Sequence, residues 1–247
     1  MTHRTVVVKI GGSVLTGPQA YRGAAMTIAG RVSTSPNERI VAVVSAESGV
    51  TDRLLAAARD VVEEPDPSVL DLLWSTGEIR SVALLTLALH ALGVKAAAAN
   101  VHQTGLTWPD HGARATSLQP LRLRALLSEH DVVVAPGFLA RSGGDRIASL
   151  GRGGSDLTAI LLAAGLRAHR CELLKDVAGY FSADPRHDPG AQAIPWLSYA
   201  RALAMAEEGC DLVQRAALEA ARDHGIELVI SSARGTPGSR VSAQPIT

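Results

Sequence analysis

The sequence predicts an α/β fold in which helices cover a mostly parallel sheet. Short β-branched segments alternate with longer segments rich in alanine and leucine along the whole chain, which is typical of strands joined by crossover helices. Of the 247 residues, 47% are hydrophobic, enough for a substantial buried core. Because no internal repeat and no flexible or charged linker interrupts the pattern, we predict one continuous domain over residues 1–247.

The strands and helices are predicted in regular alternation. Strands are expected over 6–10, 40–45, 96–101, 131–135, 172–176 and 227–231, with the third the weakest. Helices are expected over about 18–33, 50–63, 68–92, 119–129, 155–168, 198–208 and 211–224. Two helix starts carry cap-type residues, Thr51 with Asp52 and Ser155 with Asp156. Residues 102–120 and 182–196 are rich in Gly, Pro, Asp and His and are predicted to be loops.

Composition argues against several classes of protein. Lys plus Arg and Asp plus Glu number 24 each, and aromatic residues are 3%, so neither nucleic acid nor an anionic membrane surface is an expected partner. Cys171 and Cys210 form no CxxC pair and no metal-spaced cluster, which predicts packing residues and no bound metal site. No leader pattern and no run of about 18 apolar residues is present, so we expect a cytoplasmic protein.

The segment VVVKIGGSV places a lysine and a glycine turn at the end of the first strand. Backbone N–H groups of Gly11, Gly12 and Ser13 can approach an anion closely while Lys9 points to the same place, as a polyphosphate requires. The spacing excludes both the P-loop and the GxGxxG pattern. A plain turn after a strand remains the alternative for this segment.

Two further segments place small hydroxyl and charged groups beside helices. In VVSAESGVTDRLL, Ser45 and Thr51 can hold a carboxylate or phosphate, or Thr51 can serve only as a cap. In LLWSTGEIRSVALL, Glu78 and Arg80 are expected near the start of a long apolar helix, where an acid interacts favourably with the helix dipole. Glu78 can recognise an ammonium group, although a solvated first turn would explain the charges equally well.

The most specific segment is SLGRGGSDLTAILLAAGL at residues 149–166. A helix cap needs only the serine or aspartate, so the preceding arginine and glycines favour an anion site, with Arg152 offering a planar fork to a carboxylate. Downstream, LLKDVAGYFSADPR follows a strand, and loops at the carboxyl ends of strands bind nucleotides in open α/β sheets. An ordinary surface loop is the alternative for that second segment.

Taken in order, these segments resemble the amino acid kinase family, and within it the catalytic domain of the aspartate kinases. The family's KFGGTSV, VVSAMGGVTD, LLSTGE, TLGRGGSDTTA and TDVDGVYTADPR patterns are similar to KIGGSVL, VVSAESGVTD, LWSTGE, SLGRGGSDLTA and KDVAGYFSADPR here. The resemblance runs from about residue 6 to residue 241. It implies a three-layer αβα sandwich and transfer of the γ-phosphoryl group of ATP, entering with Mg²⁺, to the side-chain carboxylate of aspartate.

The resemblance also implies roles for individual residues. Lys9 and Asp156 would be catalytic, with Lys9 on the transferring phosphoryl group and Asp156 orienting it. Residues 1–150 would mainly bind the amino acid and residues 151–247 the nucleotide. The implied amino acid site is Ser45, Thr51, Glu78, Arg152 and Ser155, and the implied nucleotide and phosphate site is Gly11, Gly12, Ser13, Gly153, Gly154, Lys175, Asp176, Tyr180 and Arg186.

The chain departs from the family pattern in three places. The sequence stops soon after its GTxI-like segment, where aspartate kinases usually continue into ACT domains, so we expect a form with the catalytic domain alone. Asp211 stands where the family has a lysine that reaches the nucleotide phosphates, and Lys175 replaces a threonine. Lys175 is expected to supply the missing charge, with Arg215 a second candidate. Glu47, in AES in place of AMG, adds negative charge near the predicted amino acid.

Three functions remain open at this point. The first is an ATP-dependent aspartate kinase that acts as a homodimer, with a role in a specialised biosynthetic pathway as one option. The second keeps the phosphoryl transfer but changes the acceptor to another amino acid or small acid. The third is a non-catalytic nucleotide-binding or regulatory subunit, which Asp211 favours and the intact Lys9, Arg152 and Asp156 set disfavours.

Overall fold

The computed structural model describes residues 3–108, 117–151, 153–185, 187–232 and 238–244. Eight strands form the main sheet, in the spatial order β10-β12-β11-β9-β1-β2-β6-β3, and every neighbouring pair is parallel except β11 with β12. These strands are β1 Arg4–Ile10, β2 Glu38–Val44, β3 Ala96–Ala98, β6 Val132–Pro136, β9 Arg170–Lys175, β10 Trp196–Leu197, β11 Leu228–Ser232 and β12 Ser239–Val241.

A second, small sheet lies beside the first, in the order β5-β4-β7-β8. Its strands are β4 Leu106–Thr107, β5 Ser117–Leu118, β7 Leu139–Arg141 and β8 Ile147–Ser149, with a 3₁₀ turn at Gly143–Asp145. β4 and β5 fall within the segment predicted to be the loop 102–120, so that prediction is wrong in part. Strands of two or three residues are too short to show the alternation of buried and exposed side chains that identifies a strand in a sequence.

Helices cover both faces of the main sheet. Side chains of α1 and α3 share one buried cluster with Val6, Val8 and Ile10 of β1, whereas α5, α6, α7 and α8 share another with Val7. The fold is therefore the expected three-layer αβα sandwich. The helices are α1 Pro18–Thr34, α2 Val50–Val61, α3 Pro67–Ala91, α4 Val101–Thr104, α5 Leu121–Glu129, α6 Gly154–Leu166, α7 Tyr199–Glu207 and α8 Arg215–His224.

The capping residues predicted for two helices are wrong, although the helices begin close to the predicted positions. The caps of α2 and α6 are Gly49 and Gly153, both with left-handed backbones, and no described side chain caps either helix. The four residues predicted as caps therefore lie inside the first turns of their helices: Thr51 and Asp52 in α2, Ser155 and Asp156 in α6. The predicted strand 96–101 ends at Ala98, because Asn100 and Gln103 form a reciprocal capping box that starts α4.

Helix α3 places its polar residues differently from the prediction. The Asp66 carboxylate caps this helix by accepting hydrogen bonds from the Ser68 and Val69 N–H groups at 2.9 and 3.2 Å. Glu78 therefore lies in the middle of the helix and gains nothing from its dipole. Among the described residues, α3 is the one helix long and apolar enough to cross a membrane by length and composition. Its buried face packs against α1, α2 and β6, as the face of a core helix does.

Candidate active site

Two cavities open at the carboxyl edge of the main sheet and meet at shared residues. The first is about 620 Å³ and the second about 660 Å³. Lys9, Lys175 and Asp211 line both of them. The predicted residues Ser45, Thr51, Glu78, Gly153, Gly154, Ser155 and Asp156 line the first cavity, and Gly11, Gly12, Ser13, Asp176 and Tyr180 line the second.

Three charged side chains form the junction between the cavities. Lys9 Nζ lies 2.8 Å from Asp156 Oδ1, and Lys175 Nζ lies 2.6 Å from Asp156 Oδ2. The carboxylate is almost fully buried, with a side-chain exposure of 4%, compared with 9% for Lys9 and 15% for Lys175. One aspartate thus holds two ammonium groups at the place where both cavities open.

The strand register explains why the two lysines converge. Lys9 of β1 pairs with Leu173 of the adjacent parallel strand β9, and Lys175 follows Leu173 by two residues. Because side chains two residues apart in a strand share a face, both lysines point toward the α6 side of the sheet. Asp156, in the first turn of α6, reaches them from that side.

The electrostatics of the junction favour charged forms despite burial. Burial alone would raise the pKa of the Asp156 carboxyl, but the ammonium groups of Lys9 and Lys175 outweigh it and hold this pKa below its usual value. Burial lowers the pKa of the Lys175 ammonium, as does the nearby Lys9 charge, while Asp156 opposes the shift. The junction carries two cations on one anion, so it offers positive charge to an entering anionic group.

The glycines after β1 are required by close approaches. A Cβ on Gly12 would overlap the Ala46 carbonyl oxygen, and a Cβ on Gly11 would lie 3.4 Å from Lys9 Nζ. A side chain at either position would displace the neighbouring turn or crowd the ammonium. The glycines therefore keep the entrance to the junction open from the second cavity.

Glu78 is a buried acid beside the first cavity. Only 3% of the residue is exposed, and Oε2 has no hydrogen-bond partner among the described residues. Burial raises the pKa of Glu78 to about 8, against the opposing effects of the Ala46 N–H group and the Lys9 charge. Such a group gains most from a cationic ligand, because the ligand compensates the charge that burial penalises.

Sequence reasoning missed the aromatic and amide lining of the first cavity. Trp74 lies one helical turn before Glu78, and its ring meets Phe138 edge-on with a centroid separation of 5.9 Å. Gln214 packs so closely on Gly153 that a Cβ there would overlap its side chain. The spacing of four residues between Trp74 and Glu78 is the signal that could have identified the tryptophan.

The second cavity is lined by the loop that follows β9. Gly179 permits a close approach, since a Cβ there would lie 2.5 Å from Ser239 Oγ, which accepts a hydrogen bond from the Tyr180 N–H at 2.7 Å. The Tyr180 hydroxyl is buried, which raises its pKa. Phe181, Met205 and Cys210 also line this cavity and were not predicted to do so. Cys171 is buried as expected, whereas Cys210 is only partly buried.

Other predicted residues lie elsewhere. Arg215 is exposed and pairs with Glu207 and Glu219 at 2.7 and 2.9 Å, so it does not supply charge to either cavity. Glu47 is held by Arg80 at 2.8 Å and lines neither cavity. Arg152 and Arg186 lie outside the described residues. Within the described part of the chain, no group of three or more His, Cys, Asp or Glu side chains could hold a metal ion.

Comparison with known proteins identifies the family. The sequence profile of the amino acid kinase family matches residues 4–232. The chain belongs to the amino acid kinase family. This family member is 35% identical to an aspartokinase of Geobacillus stearothermophilus over 94% of its length, and 38% identical to one of Mycolicibacterium smegmatis over 96%. It spans 58% and 56% of these two relatives.

Solved structures confirm the fold of this amino acid kinase family member. An aspartate kinase from Synechocystis superposes with a TM-score of 0.85 at 34% identity, covering 98% of this chain and 40% of that one. Aspartokinase III of E. coli, solved in complex with aspartate and ADP, gives 0.85 at 26% identity, covering 98% and 65%. A uridylate kinase from Archaeoglobus fulgidus, at 20% identity, shares the fold.

Proposed function

We propose that this chain transfers the γ-phosphoryl group of ATP to the side-chain carboxylate of L-aspartate, giving 4-phospho-L-aspartate. The observation that carries the proposal is the junction of Lys9, Asp156 and Lys175, which places two cations where two cavities meet. A transfer between two substrates needs such a shared point. The aspartokinase relatives support aspartate as the acceptor.

In this proposal the second cavity takes the nucleotide. The glycine turn at Gly11 and Gly12 leads its phosphates toward Lys9, and Asp176 and Tyr180 lie along the nucleotide. Arg186 is assigned to the nucleotide by the family resemblance alone. Magnesium would enter with the phosphates and take most of its ligands from them and from water, as this ion usually does. The chemistry that the ion supplies when bound is compensation of phosphate charge.

The first cavity takes the amino acid. Its ammonium group pairs with Glu78, whose buried Oε2 has no partner among the described residues, and the Ser45, Thr51 and Ser155 hydroxyls bind its carboxylates. Gly153 and Gly154 line this cavity, so they lie nearer the acceptor than the sequence predicts for the two glycines. Arg152 is assigned to an acceptor carboxylate by the family resemblance alone. The side-chain carboxylate then points to the junction.

The chemical step needs positioning and charge compensation more than a general base. A carboxylate oxygen of aspartate forms a bond to the γ-phosphorus, and the bond from that phosphorus to the β,γ-bridging oxygen breaks, releasing ADP. The nucleophile is already ionised near neutral pH, since a side-chain carboxyl has a reference pKa of about 4. Lys9 stabilises the charge that develops on the transferring oxygens, and Asp156 fixes the position of Lys9.

A hydroxamate assay tests the proposal. The purified protein is incubated with MgATP, hydroxylamine and a panel of amino and dicarboxylic acids, because hydroxylamine converts an acyl phosphate into a stable hydroxamate. Product with aspartate and none with Lys9→Ala is the expected result. Product only with another acid would identify that acid as the acceptor in place of aspartate. Nucleotide binding without any product would favour a non-catalytic subunit. A homodimer and a cytoplasmic location belong to the same proposal, and light scattering tests the first.

A further inference from the structure

Lys175 is a buried cation that the fold does not need for neutralising Asp156. Lys9 already pairs with Asp156 at 2.8 Å, yet Lys175 approaches the other carboxylate oxygen at 2.6 Å. A second buried ammonium costs desolvation free energy and repels the first one. Since one lysine would satisfy the carboxylate, packing and ion pairing alone do not explain Lys175.

The composition of the chain makes a lysine at this position unusual. Of its 24 basic residues apart from histidine, only three are lysines, and the remaining 21 are arginines. Two of those three lysines, Lys9 and Lys175, lie on the same aspartate, and Lys95 is exposed. A chain that otherwise uses arginine thus places a compact ammonium at the junction twice. A small point charge suits a crowded site between two cavities better than a planar guanidinium does.

The charges around the junction leave a task for this second cation. Asp211 lines both cavities together with the two lysines, while Asp156 lines the first cavity and Asp176 the second, so carboxylates outnumber ammonium groups around the junction. Without Lys175, Lys9 would be the one lysine or arginine among the described residues that line the two cavities. With it, Lys9 and Lys175 can both face the phosphoryl group while Asp156 lies between them.

We propose that Lys175 is a second catalytic cation, which donates hydrogen bonds to the transferring phosphoryl group from β9 and offsets Asp211. This inference rests on the proposed function. Lys175 remains protonated throughout, the phosphorus–oxygen bond to aspartate forms as the bond to ADP breaks, and no proton leaves the junction. The sequence expectation that Lys175 compensates for Asp211 thereby gains a geometric basis in the shared carboxylate of Asp156.

The test moves the charge between the two positions. Lys175→Thr removes the ammonium, Lys175→Met removes it while keeping most of the side-chain length, and Lys175→Thr combined with Asp211→Lys returns a cation from the other loop. Lys95→Thr is the matched control, because it removes the third, exposed lysine. Thermal melting of each variant checks that it folds.

Turnover with aspartate gives the first measurement. We expect Lys175→Thr and Lys175→Met to lower kcat about 100-fold or more, with the KM for aspartate changed less than about threefold. The kcat of the double variant should be at least about tenfold higher than that of Lys175→Thr alone. Unchanged kcat in both single variants would overturn the proposal, and so would a loss that Asp211→Lys leaves unrepaired.

Nucleotide binding gives a second measurement that is independent of turnover. The affinities for Mg-ADP and for the non-hydrolysable triphosphate Mg-AMP-PNP are compared by calorimetry in each variant. Loss of Lys175 should weaken triphosphate binding at least about tenfold relative to diphosphate binding. An unchanged ratio would mean that Lys175 only positions Asp156 and would overturn the proposal. If the natural chain forms no acyl phosphate, the proposed function fails, while this ratio still decides whether Lys175 contacts the terminal phosphate.

Discussion

The Lys9 ammonium lies 2.8 Å from Oδ1 of Asp156, a carboxylate that reaches it from the first turn of the helix packed over its strand. This contact joins the central strand of the sheet to α6. It also places the cation where the two cavities meet. The sheet register and the helix position together determine the charge at the proposed site of transfer.

Asp156→Asn should impair both catalysis and stability. The amide cannot neutralise the two buried ammonium groups, so we expect a loss of about 3 kcal/mol in the free energy of unfolding. We also expect kcat to fall about 100-fold or more, because Lys9 loses the partner that orients it. Denaturant unfolding and steady-state kinetics measure the two effects. Asp223→Asn, at an exposed pair with Arg222, is the control, and equal behaviour of the two variants would contradict this prediction.

Glu78 should make amino acid binding depend on pH. With its pKa raised to about 8, Glu78 is mostly protonated at pH 6 in the free protein, and pairing with an ammonium requires its proton to leave. Apparent affinity should therefore rise about ninefold from pH 6 to pH 7 and about fivefold from pH 7 to pH 8. Calorimetry in buffers of different ionisation enthalpy measures both the affinity and the released proton. Glu78→Gln should bind weakly with little pH dependence, and a steep dependence in that variant would show that another group is responsible.

Two glycine substitutions should have opposite effects. Ala at Gly12 would overlap the Ala46 carbonyl oxygen, so we expect destabilisation by about 1–3 kcal/mol and weaker nucleotide binding. Ala at Gly23, inside α1 with no heavy atom within 4 Å of its Cβ, should stabilise the protein by about 1 kcal/mol through helix propensity. Thermal melts of both variants test the pair. Equal stability of the two would refute the close approach at Gly12.

An ion-pair network far from the cavities should contribute to stability. Arg31 contacts Glu38 at 2.8 Å and Glu172 at 2.6 Å, joining α1 to β2 and β9. Arg31→Met should cost roughly 2 kcal/mol at pH 7, since it leaves two partly buried carboxylates short of a partner. Arg222→Met, at an exposed pair, should cost almost nothing.

The same network should weaken in acid. Burial opposes the shift, but Arg31 and Arg170 hold the pKa of Glu38 below its usual value. A carboxyl with a lowered pKa in the folded state stabilises the protein above its unfolded pKa and loses that contribution as the pH falls through the folded value. The difference in stability between the natural chain and Arg31→Met should therefore shrink below about pH 4. A difference that stays constant down to pH 2 would contradict this account.

The sequence predicted six of the eight described strands of the main sheet and all described helices except α4, because their signals are local. The short strands β10 and β12 were missed. The hydrophobic run that contains Lys9 predicts a strand, and the apolar periodicity of α6 predicts a helix, each without information from the rest of the chain. The glycine caps of α2 and α6 were missed because Thr51 and Asp156 are residue types that often cap helices. Asp156 instead pairs with Lys9 and Lys175. The four short strands of the second sheet carry too few residues for a pattern.

The sequence predicted which residues form the site better than it predicted how they are arranged. The order of the motifs predicted Lys9, Glu78 and Asp156 as site residues. The contact between Lys175 and Asp156 depends on the register of β1 with β9, which no local sequence pattern predicts. Arg215 was a wrong candidate because it forms ion pairs with Glu207 of α7 and Glu219 of α8. Trp74 was missed because a tryptophan in an apolar helix has the ordinary composition of a core residue.

The most direct test of phosphoryl transfer to a carboxylate uses aspartate labelled with ¹⁸O in its side-chain carboxylate. After reaction with MgATP and hydroxylamine, the acyl phosphate breaks at its carbonyl carbon, so the released phosphate keeps the oxygen that attacked phosphorus. We predict that ³¹P spectra of this phosphate show one ¹⁸O atom, and that Lys9→Ala produces none. Unlabelled phosphate from the natural chain, with no hydroxamate formed, would contradict the proposed function.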